Sequence, residues 1–264
     1  MKVNSKLAQR DHSRSQQSAI LKDYGTFFKE KQGAFKGIKK TFTPRDGFLD
    51  DPNYIQDTKV VTTVREKLDW FNTQTKLYLQ NEMDIEATNS DGAPTIELVV
   101  DGVSFGKLTV IELMRLYGIL KNKSFENVYS TIPVRADNKV WSPTTDEEYE
   151  GREVFEDPMV SGQTRTSENE EIILKDPNVD PQHLPSNYRA QTTTKRHTVI
   201  TGDYTIQNFT GEWTHQKRAE LLRRRSSILE AIKLAIKELN NVECKETGLD
   251  INRFIDYLTY GTTK

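Results

Sequence analysis

The hydrophobic residues between positions 212 and 241 recur every three or four positions, the spacing of one face of an α-helix. Placed at 100° per residue, they form a single apolar stripe along that helix: Leu221, Ile228, Leu229, Ile232, Ala235, Ile236 and Leu239. The pattern predicts a long amphipathic helix over residues 212–241, the most regular element of the chain.

A second amphipathic helix is predicted over residues 58–82. Its apolar positions, among them Val64, Leu68 and Phe71, are spaced three and four apart and share one stripe. Trp70 lies on the opposite side of this helix. We expect it either to be an exposed contact residue or to be covered by another element.

The N-terminal residues 1–40 show a weaker helical pattern, in which apolar residues recur at multiples of seven between Leu7 and Phe35. Glycines weaken this helix towards its end. We interpret residues 1–50 as a helical N-terminal arm that packs on the rest of the chain or on a neighbouring subunit.

A β-hairpin is predicted over residues 95–108, because β-favouring residues surround Asp101 and Gly102, a dipeptide typical of two-residue turns. Thr109 and Glu112 follow with the spacing of a capping box, in which each side chain accepts from the backbone N–H of the other residue. The pattern therefore predicts a short helix directly after the hairpin.

Residues 123–210 contain short β-favouring segments between polar, turn-rich stretches. Gly202 and Asp203 join two alternating segments and suit a tight hairpin turn. We predict antiparallel β-structure with long loops in this region. Together with the three long helices, this predicts an α+β fold, with residues 51–264 forming a single domain.

Composition bounds the function classes. The 264 residues include 37 Lys and Arg against 39 Asp and Glu, a formal net charge of -2, so no global field attracts nucleic acid or anionic lipid. A secreted domain of this size more often has several cysteines, and this chain has only Cys244. No run approaches the roughly 20 apolar residues that span a bilayer. We expect a cytoplasmic protein without membrane contact.

No grouping of residues is typical of an active site or a metal site. Cys244 has no Cys or His neighbour, and the histidines are never spaced as paired metal ligands: His12, His183, His197 and His215. Neither a phosphate-binding glycine loop nor a serine nucleophile elbow occurs. We expect no metal or cofactor, and the sequence favours a non-enzymatic protein. A pocket that gathers His197 or Cys244 with carboxylates would instead indicate an unrecognised hydrolase or transferase.

One candidate polyanion-binding site is the basic run Lys195, Arg196 and His197, followed by Tyr204 and Phe209. Nucleotide or single-strand binding needs cations for phosphates and aromatic rings for bases. An ordinary amphipathic hairpin with a charged end explains the same residues, and both interpretations stay open.

A second candidate polyanion-binding site is the lysine-rich segment that ends the N-terminal arm. Its candidate contact residues are Lys36, Lys39 and Lys40, which follow a run of aromatic residues. A nucleic acid or a phosphorylated small molecule is the corresponding ligand class.

The arginines of the C-terminal helix are distributed around its circumference. Arg223 lies opposite the apolar stripe and Arg224 on its flank, whereas Arg218 and Arg225 lie inside it. An unpaired charge among apolar side chains is costly. Either these two side chains extend to solvent, or each pairs with a carboxylate from a facing helix or subunit. We predict such an ion pair for at least Arg225.

The order of several segments resembles an uncharacterised family of bacterial proteins often found in actinobacteria. In that family a strand ending in Val-Asp-Gly precedes a Leu-rich segment and a long C-terminal helix, and the corresponding segments here are TIELVVDG, KLTVIELMRLYGILKN and RAELLRRRSSILEAIKLAIKELNN. The likeness extends roughly over residues 35–242. It implies a bacterial or phage cytoplasmic origin and a single compact unit across both halves. No catalytic or binding residue can be carried over, because the family is a domain of unknown function.

Two hypotheses about function follow. The first is a non-enzymatic structural or scaffolding protein that self-associates into a homo-oligomer through its long helices, in the manner of a coiled coil. The second is a binding module for nucleic acid or a phosphorylated small molecule through the two basic segments.

Overall fold

A computed structural model describes residues 3–174, 191–241 and 247–260. The helices of these residues are α1 (Val3–Glu30), α2 (Val64–Asn89), α3 (Val110–Lys121), α4 (Lys123–Ser130), α5 (His215–Leu239) and α6 (Ile251–Tyr260). The strands are β1 (Lys36–Pro44), β2 (Gln56–Thr58), β3 (Thr95–Val100), β4 (Val103–Thr109), β5 (Ser142–Pro143), β6 (Phe155–Glu156), β7 (Val160–Leu174) and β8 (Gln191–Thr210). Helices and antiparallel sheets thus share the chain, which confirms the predicted α+β fold class.

The chain divides into two compact units. Unit 1 comprises residues 1–14, 77–123 and 223–264, and unit 2 comprises residues 15–76 and 124–222. The four divisions fall inside α1, α2, α4 and α5. The boundary at residue 50 between an arm and a single domain stays a prediction.

In unit 1, β3 and β4 form the predicted hairpin. Asp101 and Gly102 have φ angles of 50° and 81°, the left-handed conformation that both central positions of a type I′ turn require. Leu98 and Val100 are buried on one face of the hairpin, whereas Val99 is exposed on the other. The hairpin therefore offers one apolar face to the rest of the unit.

The apolar stripe predicted for the C-terminal helix lies in α5 and packs inside unit 1. Ile232 and Ala235 are buried against Leu98 and Val100 of the hairpin and Leu113 of α3. Burying one such aliphatic side chain contributes about 1.5–3 kcal/mol. This part of the stripe is thus occupied by the chain's own elements.

A buried ion pair joins α2 and α3 within unit 1. Glu82 has no exposed surface, and Arg115 Nε donates to its Oε2 at 2.6 Å. Glu86 lies 3.7 Å from the same guanidinium. Breaking a buried pair leaves an uncompensated charge, so this contact fixes how α3 lies on α2.

Unit 2 contains an antiparallel sheet with the strand order β2-β1-β8-β6-β5, and β7 also pairs with β8. β8 is 20 residues long. Over residues 202–210 it pairs with β1 along one edge and with β7 and β6 along the other. Over residues 191–200 its only described partner is β7.

Aromatic residues from three helices form the core of unit 2. Phe28 of α1, Phe71 of α2 and Phe125 of α4 are buried. Trp70 is half exposed and stacks on Tyr24, with ring centroids 5.7 Å apart and an interplanar angle of 11°. The side of α2 that carries Trp70 is therefore partly covered by α1.

The N-terminal helix is shorter than the predicted 1–40. α1 ends at Glu30, and residues from Lys36 onwards form β1 instead. Gly37 gives the physical reason. A Cβ at this position would lie 2.8 Å from the carbonyl oxygen of Thr58, so glycine allows β2 to approach β1, whereas in a helix interior it would be destabilising by about 1 kcal/mol.

The second helix begins and ends later than the predicted 58–82, because α2 spans Val64–Asn89. Thr63 and Glu66 set its start: Glu66 N donates to Thr63 Oγ1 at 3.1 Å, and Thr63 N donates to Glu66 Oε2 at 2.9 Å. This Thr-x-x-Glu capping pattern is present in the sequence, and the apolar spacing upstream of it does not extend the helix.

The tight turn predicted at Gly202 and Asp203 is wrong, because β8 continues through both residues. The register with β7 shifts between Thr164 and Arg165, so Thr201 is an extra residue in a β-bulge. A Cβ on Gly202 would lie 2.3 Å from Phe42 Cζ. The glycine therefore permits close packing of β1 and does not form a turn.

Residues 123–210 are not entirely β-structure, since α4 occupies Lys123–Ser130. Phe125 and Val128, three residues apart, are its buried positions, which is helical spacing over little more than two turns. So short a segment gives a weak periodic signal.

Candidate functional site

The lysines of one candidate polyanion site lie on β1, where strand alternation separates them. Lys36 and Lys40 lie on one face of the strand and Lys39 on the other. Lys39 Nζ is 3.8 Å from Asp146 Oδ2, and Lys40 Nζ donates to the carbonyl oxygen of Asn53 at 3.3 Å. The structure does not bring these lysines together into one cationic surface.

Lys36 borders a cleft of about 220 Å³ in unit 2. The cleft lies beside β1 and the end of β8, and its lining includes Lys36, Lys139, Trp141, Phe209, Thr210 and Glu212. Glu212 is only 4% exposed. Its Oε1 lies 3.5 Å from Lys36 Nζ, and its Oε2 accepts from Thr210 Oγ1 at 3.2 Å. The buried carboxylate thus already faces a cation from its own chain.

Glu212 at the cleft and Asp157, which is bonded to the cleft residues Lys139 and Asn208, are buried carboxylates with pKa values shifted in opposite directions. Burial raises the pKa of Glu212, although Lys36 opposes the shift. Burial alone would also raise the pKa of Asp157, but hydrogen bonds from Lys139 and Asn208 outweigh it and lower that pKa. Lys139 Nζ lies 2.9 Å from Asp157 Oδ2, and Asn208 N lies 2.8 Å from Oδ1. Only Asp157 has surroundings that favour its charge.

The basic run of the other candidate site lies in β8 opposite acidic residues of β7. Glu170 is the cross-strand partner of Lys195, and Glu168 is the partner of His197, whose Nε2 lies 3.8 Å from Glu168 Oε2. Alternation places Arg196 on the opposite face from the other two basic residues. The three side chains therefore form no continuous cationic surface, and carboxylates offset two of them.

The aromatic residues expected to accompany this run lie inside unit 2. Tyr204 stacks on Tyr54 with ring centroids 4.3 Å apart. Phe209 is only 4% exposed and packs against Tyr149 at 5.3 Å. These rings hold the sheet and its neighbouring segments together, and Phe209 is too deeply buried for a base to stack on it.

The outer part of the β7–β8 pair is a long solvent-exposed element of unit 2. We call the eight cross-strand pairs formed by residues 167–174 and 191–198 the exposed ribbon. Every one of these side chains is exposed. The ribbon ends in three consecutive apolar residues, Ile172, Ile173 and Leu174. Among the described strands, none pairs with either outer edge of the ribbon.

The three consecutive arginines of α5 differ in burial as their positions around the helix predict. Arg223 and Arg224 are exposed, and Arg225 is half-buried. Arg223 Nη1 lies 3.5 Å from Asp101 Oδ2. Arg225 Nε donates to the carbonyl oxygen of Leu120 at 3.1 Å. A carboxylate partner for Arg225 stays a prediction.

Arg218, the other arginine of the stripe, lies in unit 2 and is half-buried. Its Nη1 donates to the carbonyl oxygen of Ile132 at 3.0 Å and to that of Ser130 at 3.5 Å. Main-chain carbonyls at and just after the C-terminal end of α4 therefore accept hydrogen bonds from Arg218 Nη1. The structural ion pair expected for Arg218 stays a prediction.

The described residues contain no group of three or more His, Cys, Asp or Glu side chains that could hold a metal ion. His215 Nε2 lies 3.9 Å from Asp137 Oδ2, at an exposed position. His183 and Cys244 lie outside the described residues. None of the described helices has the length and apolar character needed to span a bilayer.

Sequence reasoning missed the cleft around Glu212 and the exposed ribbon. A signal for the cleft was present, because FTGEW places a glutamate between Phe209 and Trp213, and a charge among aromatic residues is rarely free in solvent. The ribbon has no comparable local signal, since it depends on which strand pairs with β7.

The α+β fold thus carries paired basic residues and an exposed β-ribbon among its described residues. The chain belongs to a family of unknown function, DUF7873, which matches residues 1–261. This confirms the resemblance to an uncharacterised family and extends it over nearly the whole chain, while the bacterial origin stays a prediction. Neither the curated proteins nor the solved structures provide a match.

Proposed function

We propose that this chain is a non-enzymatic structural protein that associates with copies of itself, and that the exposed ribbon is a principal contact surface. A two-stranded ribbon is marginally stable in water unless it packs against something. All eight residue pairs of this ribbon are exposed, so neither face is covered by the described part of the chain. A second copy would supply the missing cover.

The apolar end of the ribbon supports the same proposal. Ile172, Ile173 and Leu174 are 36%, 63% and 47% exposed. Scattered exposed apolar residues are normal, but three in succession place apolar surface on both faces of a strand. Apolar surface of this kind favours a protein partner over a charged ligand.

The ribbon is a better candidate contact than the stripe of α5 that the sequence suggests. Ile232 and Ala235 of that stripe are buried against the chain's own hairpin. The proposal therefore keeps self-association, in the cytoplasm of a bacterial cell, but assigns the main contact to β-structure and leaves the long helices as scaffold.

Mass in solution tests this function. Light scattering behind a sizing column, with the protein at tens of micromolar, is expected to give an oligomer. The combined variant Ile172→Glu, Ile173→Glu and Leu174→Glu is expected to shift the mass towards the monomer, because it places charges on the apolar contact.

Leu49→Glu is the matched control for this variant. Leu49 is 90% exposed and lies outside the ribbon, so its replacement adds a charge without changing the proposed contact, and the oligomer should persist. Far-ultraviolet circular dichroism checks that both variants stay folded. A monomeric wild-type protein, or a ribbon variant that retains the wild-type mass, would overturn the proposal.

A further inference from the structure

The two strands of the exposed ribbon carry opposite charge. Residues 167–174 of β7 contain Glu168, Glu170 and Glu171 and no basic residue. Residues 191–198 of β8 contain the basic run Lys195–His197 and no acidic residue. One outer edge of the ribbon is therefore acidic and the other basic.

We infer that the ribbon docks head to tail, with the acidic β7 edge of one copy alongside the basic β8 edge of the next. This inference rests on the proposed self-association and specifies its partner surface. A strand edge has a row of unpaired N–H and C=O groups, which is a template for another strand. Neither edge of the ribbon has a partner among the described strands, so both are available for such pairing.

Charge disfavours the two symmetric alternatives. Pairing β7 with β7 of a second copy would place the glutamates beside one another, and pairing β8 with β8 would do the same for the basic run. Like charges on adjacent strands are destabilising, whereas opposite charges are stabilising. Only β7 against β8 makes the contact between copies attractive.

The same arrangement already exists inside one ribbon, where Glu170 opposes Lys195 and Glu168 opposes His197. Neighbouring strands of a sheet lie about 4.8 Å apart. A second β8 edge on the free side of β7, in the same register, would therefore place a basic side chain on both sides of Glu168 and of Glu170. The resulting contact is heterologous, so repetition gives a closed ring or an open filament.

Charge reversal in two separate chains tests this geometry. An acid-to-base variant carries Glu168→Lys, Glu170→Lys and Glu171→Lys. A base-to-acid variant carries Lys195→Glu, Arg196→Glu and His197→Glu. Each variant alone has two edges of the same sign, so each is expected to lose association in light scattering. Mixed in equal amounts, they are expected at least to double the average mass, because opposite edges meet again between chains.

Mixing separates the contact between copies from the contact within a ribbon, since mixing restores only the former. Recovery of mass in the mixture supports the head-to-tail contact. The contrary outcome has three parts: the wild-type protein is an oligomer, one chain carrying all six reversals associates normally, and the mixture does not recover its mass. That outcome would show that the charges act only within their own ribbon, and it would overturn the head-to-tail contact. A monomeric wild-type protein would instead overturn the proposed function itself.

A milder variant keeps the test decisive if charge reversal unfolds the ribbon. Glu168→Gln, Glu170→Gln and Glu171→Gln remove the acidic edge without creating repulsion. We expect this variant to have a smaller average mass than the wild type at low salt. Added salt should change that mass little, because the variant lacks the attraction between opposite charges that salt would screen. Wild-type mass and wild-type salt dependence in this variant would contradict the inference.

Discussion

Asp157 and Glu212 are both buried carboxylates, yet the surroundings of Asp157 favour its charged form and those of Glu212 favour its neutral form. Asp157 accepts hydrogen bonds from Lys139 and from the backbone and side chain of Asn208, at 2.7–2.9 Å. Glu212 faces only the half-exposed Lys36 and a threonine hydroxyl. Hydrogen bonds to the ionised carboxylate therefore outweigh the effect of burial on the pKa of Asp157, whereas burial prevails at Glu212.

The replacement Asp157→Asn is expected to destabilise the protein by about 2 kcal/mol at neutral pH, because it removes charge-assisted hydrogen bonds. The pKa of Asp157 is lowered below its usual 3.8, so its contribution to stability is fully present above that value. The contribution is lost as the pH falls through the lower, folded-state pKa. Urea unfolding followed at neutral and at acid pH measures both effects.

Glu212→Gln is the matched control, since it makes the same carboxylate-to-amide change at another buried carboxylate of unit 2. Burial raises the pKa of Glu212, so the fold favours its neutral form and the amide should not reduce stability at neutral pH. A loss as large as that of Asp157→Asn, or a loss for Asp157→Asn that is unchanged in acid, would contradict this account of the two groups.

At the scale of elements, α3 depends on the cap that closes its first turn. Thr109 Oγ1 accepts from Glu112 N, Glu112 Oε2 accepts from Thr109 N at 2.8 Å, and Thr109 is buried beside Ser90. Thr109→Ala is expected to lower the free energy of unfolding by about 1–2 kcal/mol, as measured by urea denaturation.

Thr73→Ala provides the comparison for the cap. Thr73 is exposed inside α2, where alanine has the higher helix propensity, so this change should be neutral or slightly stabilising. Equal losses in the two variants would mean that the effect belongs to threonine in general and that the cap contributes little.

Elements governed by local chemistry were predictable from the sequence. The hairpin turn at Asp101 and Gly102, the cap at Thr109 and the stripe of α5 each depend on residues within a few positions of one another. The start of α2 was equally local, because Thr63 and Glu66 mark it, but apolar spacing alone placed the helix too early.

Elements decided by distant contacts were not predictable. Gly202 has the appearance of a turn residue, but its role is set by Phe42, which is 160 positions away in the chain and would collide with a Cβ there. The surroundings of the candidate polyanion site also depend on distant contacts. Lys195 and its neighbours are a basic run in sequence, and only the register of β7 reveals the glutamates opposite them.

At the scale of the whole molecule, charge is balanced both in total and locally. The formal net charge is -2. Lys36 and Lys39 lie within 4 Å of carboxylates, and Lys195 and His197 of β8 lie opposite glutamates of β7. A polyanion would have to displace these carboxylates, and without released counterions its binding has little electrostatic driving force.

We therefore expect a fluorescently labelled single-stranded oligonucleotide to show no saturable change in anisotropy with the wild-type protein at low salt. Removing the opposing charges with Glu168→Gln, Glu170→Gln and Glu171→Gln should create weak binding that falls as salt rises, because the basic run then lacks its carboxylates. The control Asp46→Asn, Asp50→Asn and Asp51→Asn raises the net charge equally, away from the ribbon. If this control binds as well as the ribbon variant, net charge and not local pairing governs the interaction; saturable, salt-dependent binding by the wild type would instead restore the polyanion-binding hypothesis.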